Sequence, residues 1–223
     1  MVRVSVYSPV MTLLDRSLRD FIALLAARTP APGGGSIAAL NAAMGLGLVA
    51  MAARFTSGKK YESVEAEARA VASNCDELRE RASALVDDDT NAYNAVTAAY
   101  GLPKITDSEK AARADAIQKS LQIAISVPAE TIDVSIKGLQ IAAAFAAKSN
   151  KNLASDVLVG AGCLAAAVEG ARANVRINAT SFSDTTKAKK YLDAADAAYA
   201  KAAELHHFVR DAVEPTFLPA KPA

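Results

Sequence analysis

Leu78, Ala82, Leu85, Asp89, Ala92 and Val96 follow one another at spacings of 4, 3, 4, 3 and 4, so a carboxylate occupies one position of an otherwise apolar helical seam. Asp87 and Asp88 precede it directly, yet they project roughly 200° and 100° away around a helix. Of the three aspartates only Asp89 needs a buried explanation. A carboxylate in a low-dielectric seam finds a partner or is neutralised, and either outcome shifts its pKa. Spacing leaves two readings open: a structural Asp capping or paired with an Arg or Lys, and an acid–base group that moves protons.

A second polar face runs through Asp156, Gly160, Cys163, Ala167, Gly170, Asn174 and Asn178. Its small residues suit close helix contact, while Asp156 at one end and the asparagines at the other require hydrogen bonds. Tight packing with satisfied amides and a binding face are both consistent with it. Gly33, Gly34 and Gly35, followed by Ser36, stand directly before an Ala-rich apolar run. They mark either a hinge or a backbone cradle at a helix start.

Other reactive residue types promise less. Cys75 and Cys163 are far apart, with no CxxC and no flanking His pair, so neither a disulfide framework nor a zinc site is expected. His206 and His207 are adjacent and point about 100° apart, which prevents chelation of one metal from one helix face. Lys60 in "SGKK" and Lys104 in "LPK" are cations at helix ends, where most lysines are simply solvated.

These residues are carried by a chain of 223 residues, 52% hydrophobic and 5% aromatic. Strand-like alternation is nearly absent outside the first ten residues, so an all-α bundle of about six helices is expected, over 14–28, 36–56, 62–100, 107–147, 152–179 and 184–212. Thr106 and Glu109 form a capping-box signature that sets the start of the fourth helix. Pro128 should kink or split that helix near Ser126. In the second helix, Ile37, Leu40, Met44, Leu48, Met51 and Phe55 read as the core-facing stripe, with Gly45 and Gly47 kept for close approach. One domain over 12–212 is expected, with 1–11 and 213–223 as terminal extensions.

The net charge of +1 gives no long-range field for nucleic acid or anionic membrane. Ser36–Ala53 and Asn152–Ala173 are apolar enough for a membrane test, but their Asn, Asp, Glu and Arg residues favour buried helices of a soluble protein. The first residues lack the apolar core of a secretory signal, so a cytoplasmic location is expected.

Taken in order, "TPAPGGGS", "SGKKY", "DDDTNAYNAV" with "YGLPK", "VP" at 127–128, "NKNLASD" at 150–156 and "NVRIN" at 174–178 resemble the cyclodeaminase/cyclohydrolase family. That family includes the C-terminal domain of formiminotransferase-cyclodeaminase and single-domain methenyltetrahydrofolate cyclohydrolases. The likeness covers roughly residues 12–210. It implies an all-α fold, a homodimeric building block and a folate substrate, with no cofactor and no metal. The acidic position of the family's D-x-x-A-[FY] motif falls on Asp89, with Ala92 and Tyr93 completing it. Family binding positions map onto Gly33, Gly34, Gly35, Ser36, Lys60, Lys104, Asn150, Ser155, Asp156 and Asn178. Many relatives have Gly before the Asn of "GN", where this chain has Ser149 before Asn150.

No stretch of the sequence resembles a formiminotransferase domain, so the resemblance implies hydrolysis of 5,10-methenyltetrahydrofolate to the 10-formyl form. Cyclodeamination of 5-formiminotetrahydrofolate is the alternative. Lys60 and Lys104 are expected to meet the glutamate tail of the substrate, including any added glutamates. A non-enzymatic helical interaction protein is the rival class, supported by long Ala-rich seams and the lack of a His/Cys/Ser catalytic pattern.

Overall fold

The computed structural model describes residues 12–217. Six α-helices follow in order: α1 (Leu18–Leu25), α2 (Gly34–Arg54), α3 (Glu65–Tyr100), α4 (Asp107–Phe145), α5 (Ala154–Ala179) and α6 (Thr185–Val213), with short 3-10 turns between them and no strand among the described residues. The fold is all-α, as the periodicity implies. α2 and α5 are the central pair: α2 packs on α3, α5 and α4, while α5 packs on α2, α4 and α6. Leu46, Val49, Leu85, Ile125, Leu139, Leu164 and Val168 fill the common core, each side chain contributing about 1.5–3 kcal/mol by leaving water.

Local signals set the helix starts. Glu109 N–H donates to Thr106 Oγ1 at 3.2 Å and Thr106 N–H donates to Glu109 Oε2 at 2.8 Å, completing the expected capping box. The first expected helix is instead divided: Leu13–Asp15 form a 3-10 turn, Ser17 is extended, and its side chain caps α1 by accepting from Asp20 N–H. At the far end α6 continues to the buried Val213 and a 3-10 turn over Glu214–Phe217, so the chain stays on the fold beyond residue 212. Residues 1–11, and 218–223 of the tail, lie outside the described residues.

One expectation about helix interiors is narrowed and another corrected. α4 is unbroken from Asp107 to Phe145 with Pro128 inside it, so of kink and split the split is removed. The face of α2 turned to the core is the alanine face, Ala38, Ala39, Ala42, Leu46, Val49 and Ala53, whereas Met44 and Phe55 of the large-residue stripe are 46% and 60% exposed. Close contact explains the inversion. A Cβ on Gly45 would lie 2.6 Å from the Gly160 carbonyl oxygen of α5, and one on Gly160 would lie 3.0 Å from the Gly45 carbonyl oxygen. Backbones this near favour small side chains at the contact, so Met44 and Phe55 turn outward while Ile37 and Leu40 of the stripe pack at the edge of the core. Gly47 does not share that role, because its nearest neighbour is the flexible Arg79 side chain at 4.0 Å.

Candidate active site

The tight α2–α5 contact and the seam of α3 converge on one cavity of about 230 Å³, at the N-terminal end of α2 and the C-terminal end of α5. Its walls are Pro30, Ala31 and Gly33–Gly35 before and in α2, Asp89, Ala92, Tyr93 and Val96 of α3, Ala124 of α4, and Asn174 and Asn178 of α5. The volume lies below the range of about 300–1,000 Å³ usual for a small-molecule site. It suits one ring system of a ligand, with the remainder lying outside it.

Asp89 sits half-buried at this cavity. Gly35 is what admits it, since a Cβ at position 35 would fall on the Asp89 carboxylate. Ser36, fully buried one residue further, has its hydroxyl oxygen 3.0 Å from Asp89 Oδ2, 3.0 Å from the Val86 carbonyl and 3.3 Å from Thr90 Oγ1. Burial pushes the Asp89 carboxyl above the ordinary carboxylate value, and hydrogen bonds from the Ser36 hydroxyl and backbone N–H pull part of that shift back. Ser36 has one hydroxyl proton and suits both states. It donates to ionised Asp89, and when Asp89 carries the proton it accepts from Asp89 and donates to the Val86 carbonyl. Gly33 provides no side-chain cap for α2, so the positive end of the helix also faces the carboxylate.

The three consecutive aspartates are divided among three tasks. Asp87 Oδ1 accepts the Leu13 N–H at 2.9 Å and holds the N-terminal turn. Asp88 accepts from Arg81 Nη1 at 2.8 Å, and Arg81 also forms a two-pronged pair with Glu130 of α4, which holds the Glu130 carboxyl below its usual range. Among the described residues no cation pairs with Asp89. The ion-pair reading of Asp89 is thereby removed.

Of the residues singled out by sequence, the structure brings Gly33, Gly34, Gly35, Ser36, Asp89 and Asn178 together. It does not bring Lys60, Lys104, Asn150, Ser155 or Asp156 to the same cavity. Lys60 follows the other end of α2, and Asn150, Ser155 and Asp156 lie at the other end of α5, about 30 Å away at 1.5 Å per residue. Asn150 is committed locally: its N–H donates to Thr56 Oγ1, its Nδ2 to the Phe55 carbonyl, and its Oδ1 accepts from Asn152 N–H. Lys60 lies over the Tyr61 ring at 5.2 Å. Lys104 is exposed on the α3–α4 loop, at the same end of the molecule as Asp89 but beyond the tip of α3.

Tyr93, Asn174 and Ala124 line the cavity without having been marked as binding residues. Asn174 carried a signal, one turn before Asn178 on the same face. Ala124 carried only an indirect one, standing four residues before Pro128. Cys75 is fully buried and its thiol is pushed up to about 12, chiefly by burial and then by Asp76, so it is inert. Cys163 is half-buried and also raised by burial. His207 lies 3.4 Å from Asp211 on α6, remote from the cavity.

An all-α bundle with a half-buried carboxylate, paired with no cation among the described residues, at a glycine helix start is the frame for the comparison with known proteins. Comparison with known proteins supplies the family. Residues 17–197 match the formiminotransferase-cyclodeaminase family. The chain is 37% identical to a methenyltetrahydrofolate cyclohydrolase of Methylorubrum extorquens across 90% of its own length and 97% of that protein. It is also 37% identical to the formimidoyltransferase-cyclodeaminase of Mus musculus across 79% of its length, spanning 33% of that longer protein. The crystal structure of a formiminotetrahydrofolate cyclodeaminase from Thermotoga maritima superposes with a TM-score of 0.82 at 31% identity, covering 93% of this chain and all of that one. The chain belongs to the formiminotransferase-cyclodeaminase family.

Proposed function

We propose that the chain hydrolyses 5,10-methenyltetrahydrofolate to 10-formyltetrahydrofolate, with Asp89 as the proton-transfer group. The observation that carries this is a half-buried carboxylate with raised proton affinity, held by Ser36 and paired with no cation among the described residues, at a cavity sized for one ring system. The methenyl carbon between N5 and N10 is an amidinium and already electrophilic. Asp89 takes a proton from water as its oxygen bonds to that carbon, forming a neutral tetrahedral adduct. The C–N5 bond then breaks as Asp89 returns the proton to N5 and the adduct hydroxyl releases its proton to solvent, leaving the formyl group on N10. An anionic Asp89 also favours the cationic substrate electrostatically. General acid–base catalysis of this kind contributes about 10²–10⁴ in rate. The near-complete coverage of a single-domain cyclohydrolase supports this reading.

The structural neighbour supports the second reading, cyclodeamination of 5-formiminotetrahydrofolate with release of ammonia. Both substrates present a one-carbon unit bonded to nitrogen, so one carboxylate serves either. Steady-state rates on methenyl- and formimino-folate, measured side by side, decide between them. No turnover of either above the uncatalysed rate would overturn both and return the scaffold reading. We also propose a cytoplasmic homodimer that uses no metal or cofactor and binds neither nucleic acid nor membrane. The exposed Met44 and Phe55 on α2 support the dimer. A two-fold copy packed on α2 in the reverse direction would bring its own Lys60, Ser155 and Asp156 toward the Asp89 end, where one chain alone cannot place them.

A further inference from the structure

Pro128 stands in the middle of α4, buried, where proline is costly in a helix. It has no N–H, so the carbonyl four residues earlier, at Ala124, loses its ordinary helical donor. That carbonyl is not left bare. Asn178 Nδ2 donates to it from α5 at 2.7 Å, and both Ala124 and Asn178 line the Asp89 cavity. A carbonyl oxygen only accepts, so the amide edge facing it must be the NH₂ group, and the orientation of Asn178 follows from chemistry. One turn earlier Asn174 Nδ2 donates to the Gly170 carbonyl at 2.9 Å. Both amide nitrogens are therefore committed to backbone carbonyls, and among the described residues neither Oδ1 accepts a hydrogen bond.

We propose that Pro128 is a positioning residue: by freeing the Ala124 carbonyl it fixes the Asn178 amide, so that the Asn178 and Asn174 oxygens form a paired acceptor for ring N–H groups of the bound ligand. This rests on the reading of the Asp89 cavity as a folate site, since an aminopyrimidine ring carries such adjacent N–H donors. A proline kept only for fold would have no reason to offer its orphaned carbonyl to an asparagine of the cavity wall.

Pro128→Ala restores an N–H beneath the Ala124 carbonyl, and that helical donor then competes with Asn178 Nδ2 for the oxygen. Alanine is the better helix former, so Tm should stay equal or rise. KM for the methenyl substrate should rise about tenfold, the loss expected of one hydrogen bond, with kcat changed far less. Asn178→Ala should show the same rise, and the double variant no additional one. Pro128→Val, closer in volume, replaces the alanine variant if that does not fold. A fall in Tm with additive KM effects would make Pro128 merely structural and overturn the proposal. The Asn178 side-chain amide resonances in ¹H–¹⁵N spectra of the ligand-free protein test the positioning apart from activity. They should be slow to exchange in the wild type and lose that protection in Pro128→Ala. Unchanged resonances would overturn the proposal even if turnover is confirmed, whereas lost protection in a protein that turns over no folate would instead reject the folate reading.

Discussion

At the scale of single residues, Asp89 differs from an ion-paired carboxylate in the sign of its effect on stability. Its folded pKa lies above the unfolded value because burial dominates. The folded state therefore binds the proton more tightly, and ionised Asp89 destabilises the fold at every pH above its folded pKa. That penalty is relieved as pH falls through the folded pKa toward the ordinary carboxylate range. Asp89→Asn should accordingly melt at or above the wild-type temperature at pH 7, with the difference closing in acid, while turnover per folded molecule drops about 10²–10⁴-fold. A lower Tm at pH 7 would restore the structural reading. In the wild type kcat/KM should fall as pH drops below the raised pKa, since only the ionised group accepts the proton of water. Asp87→Asn and Asp88→Asn are the controls: their partners are Leu13 N–H and Arg81, an amide oxygen still accepts from both, and turnover should stay within a few-fold.

At the scale of elements, the closeness of α2 and α5 aligns the glycine start of one with the asparagines of the other. Gly45→Ala must push a Cβ against the Gly160 backbone oxygen, which cannot rotate away. A destabilisation of about 1–3 kcal/mol is expected, read by denaturant midpoint, with a parallel loss of activity as the cavity walls part. Gly47→Ala meets only a flexible arginine at contact distance, so it should gain up to about 1 kcal/mol of helix propensity. Opposite signs two residues apart would establish the close approach; equal signs would refute it.

At the scale of the whole molecule, the exposed Met44 and Phe55 and the separation of the predicted binding residues bear on one question. Met44→Glu with Phe55→Glu should convert a sedimenting dimer to monomer, because two exposed apolar side chains on one face become charged. If the wild type sediments as monomer at micromolar concentration, the dimer proposal fails. Lys104 lies at the Asp89 end of the chain, on an exposed loop. Lys104→Ala should weaken binding of polyglutamyl substrate more than monoglutamyl, with the difference shrinking in salt, since exposed ion pairs are weak and screened. Equal loss for both would place Lys104 away from the tail.

Helix number and approximate bounds were legible in the sequence because apolar periodicity, caps and breakers act locally. Asp89 was legible for the same reason: a carboxylate in an apolar seam stands out in one dimension, and its two neighbours are separated from it by helix geometry alone. The core-facing side of α2 was not legible, because the alanine face wins only once Gly45 and Gly160 bring two backbones together, a contact between segments over a hundred residues apart. Nor was the task of Pro128, whose consequence is a freed carbonyl four residues earlier that only α5 can reach. The spread of the binding residues follows from the length of one helix, since Ser155 and Asp156 begin α5 and Asn178 ends it; which end meets Asp89 was decided by tertiary structure, because α5 packs on α2 with its C-terminal end beside the glycine start.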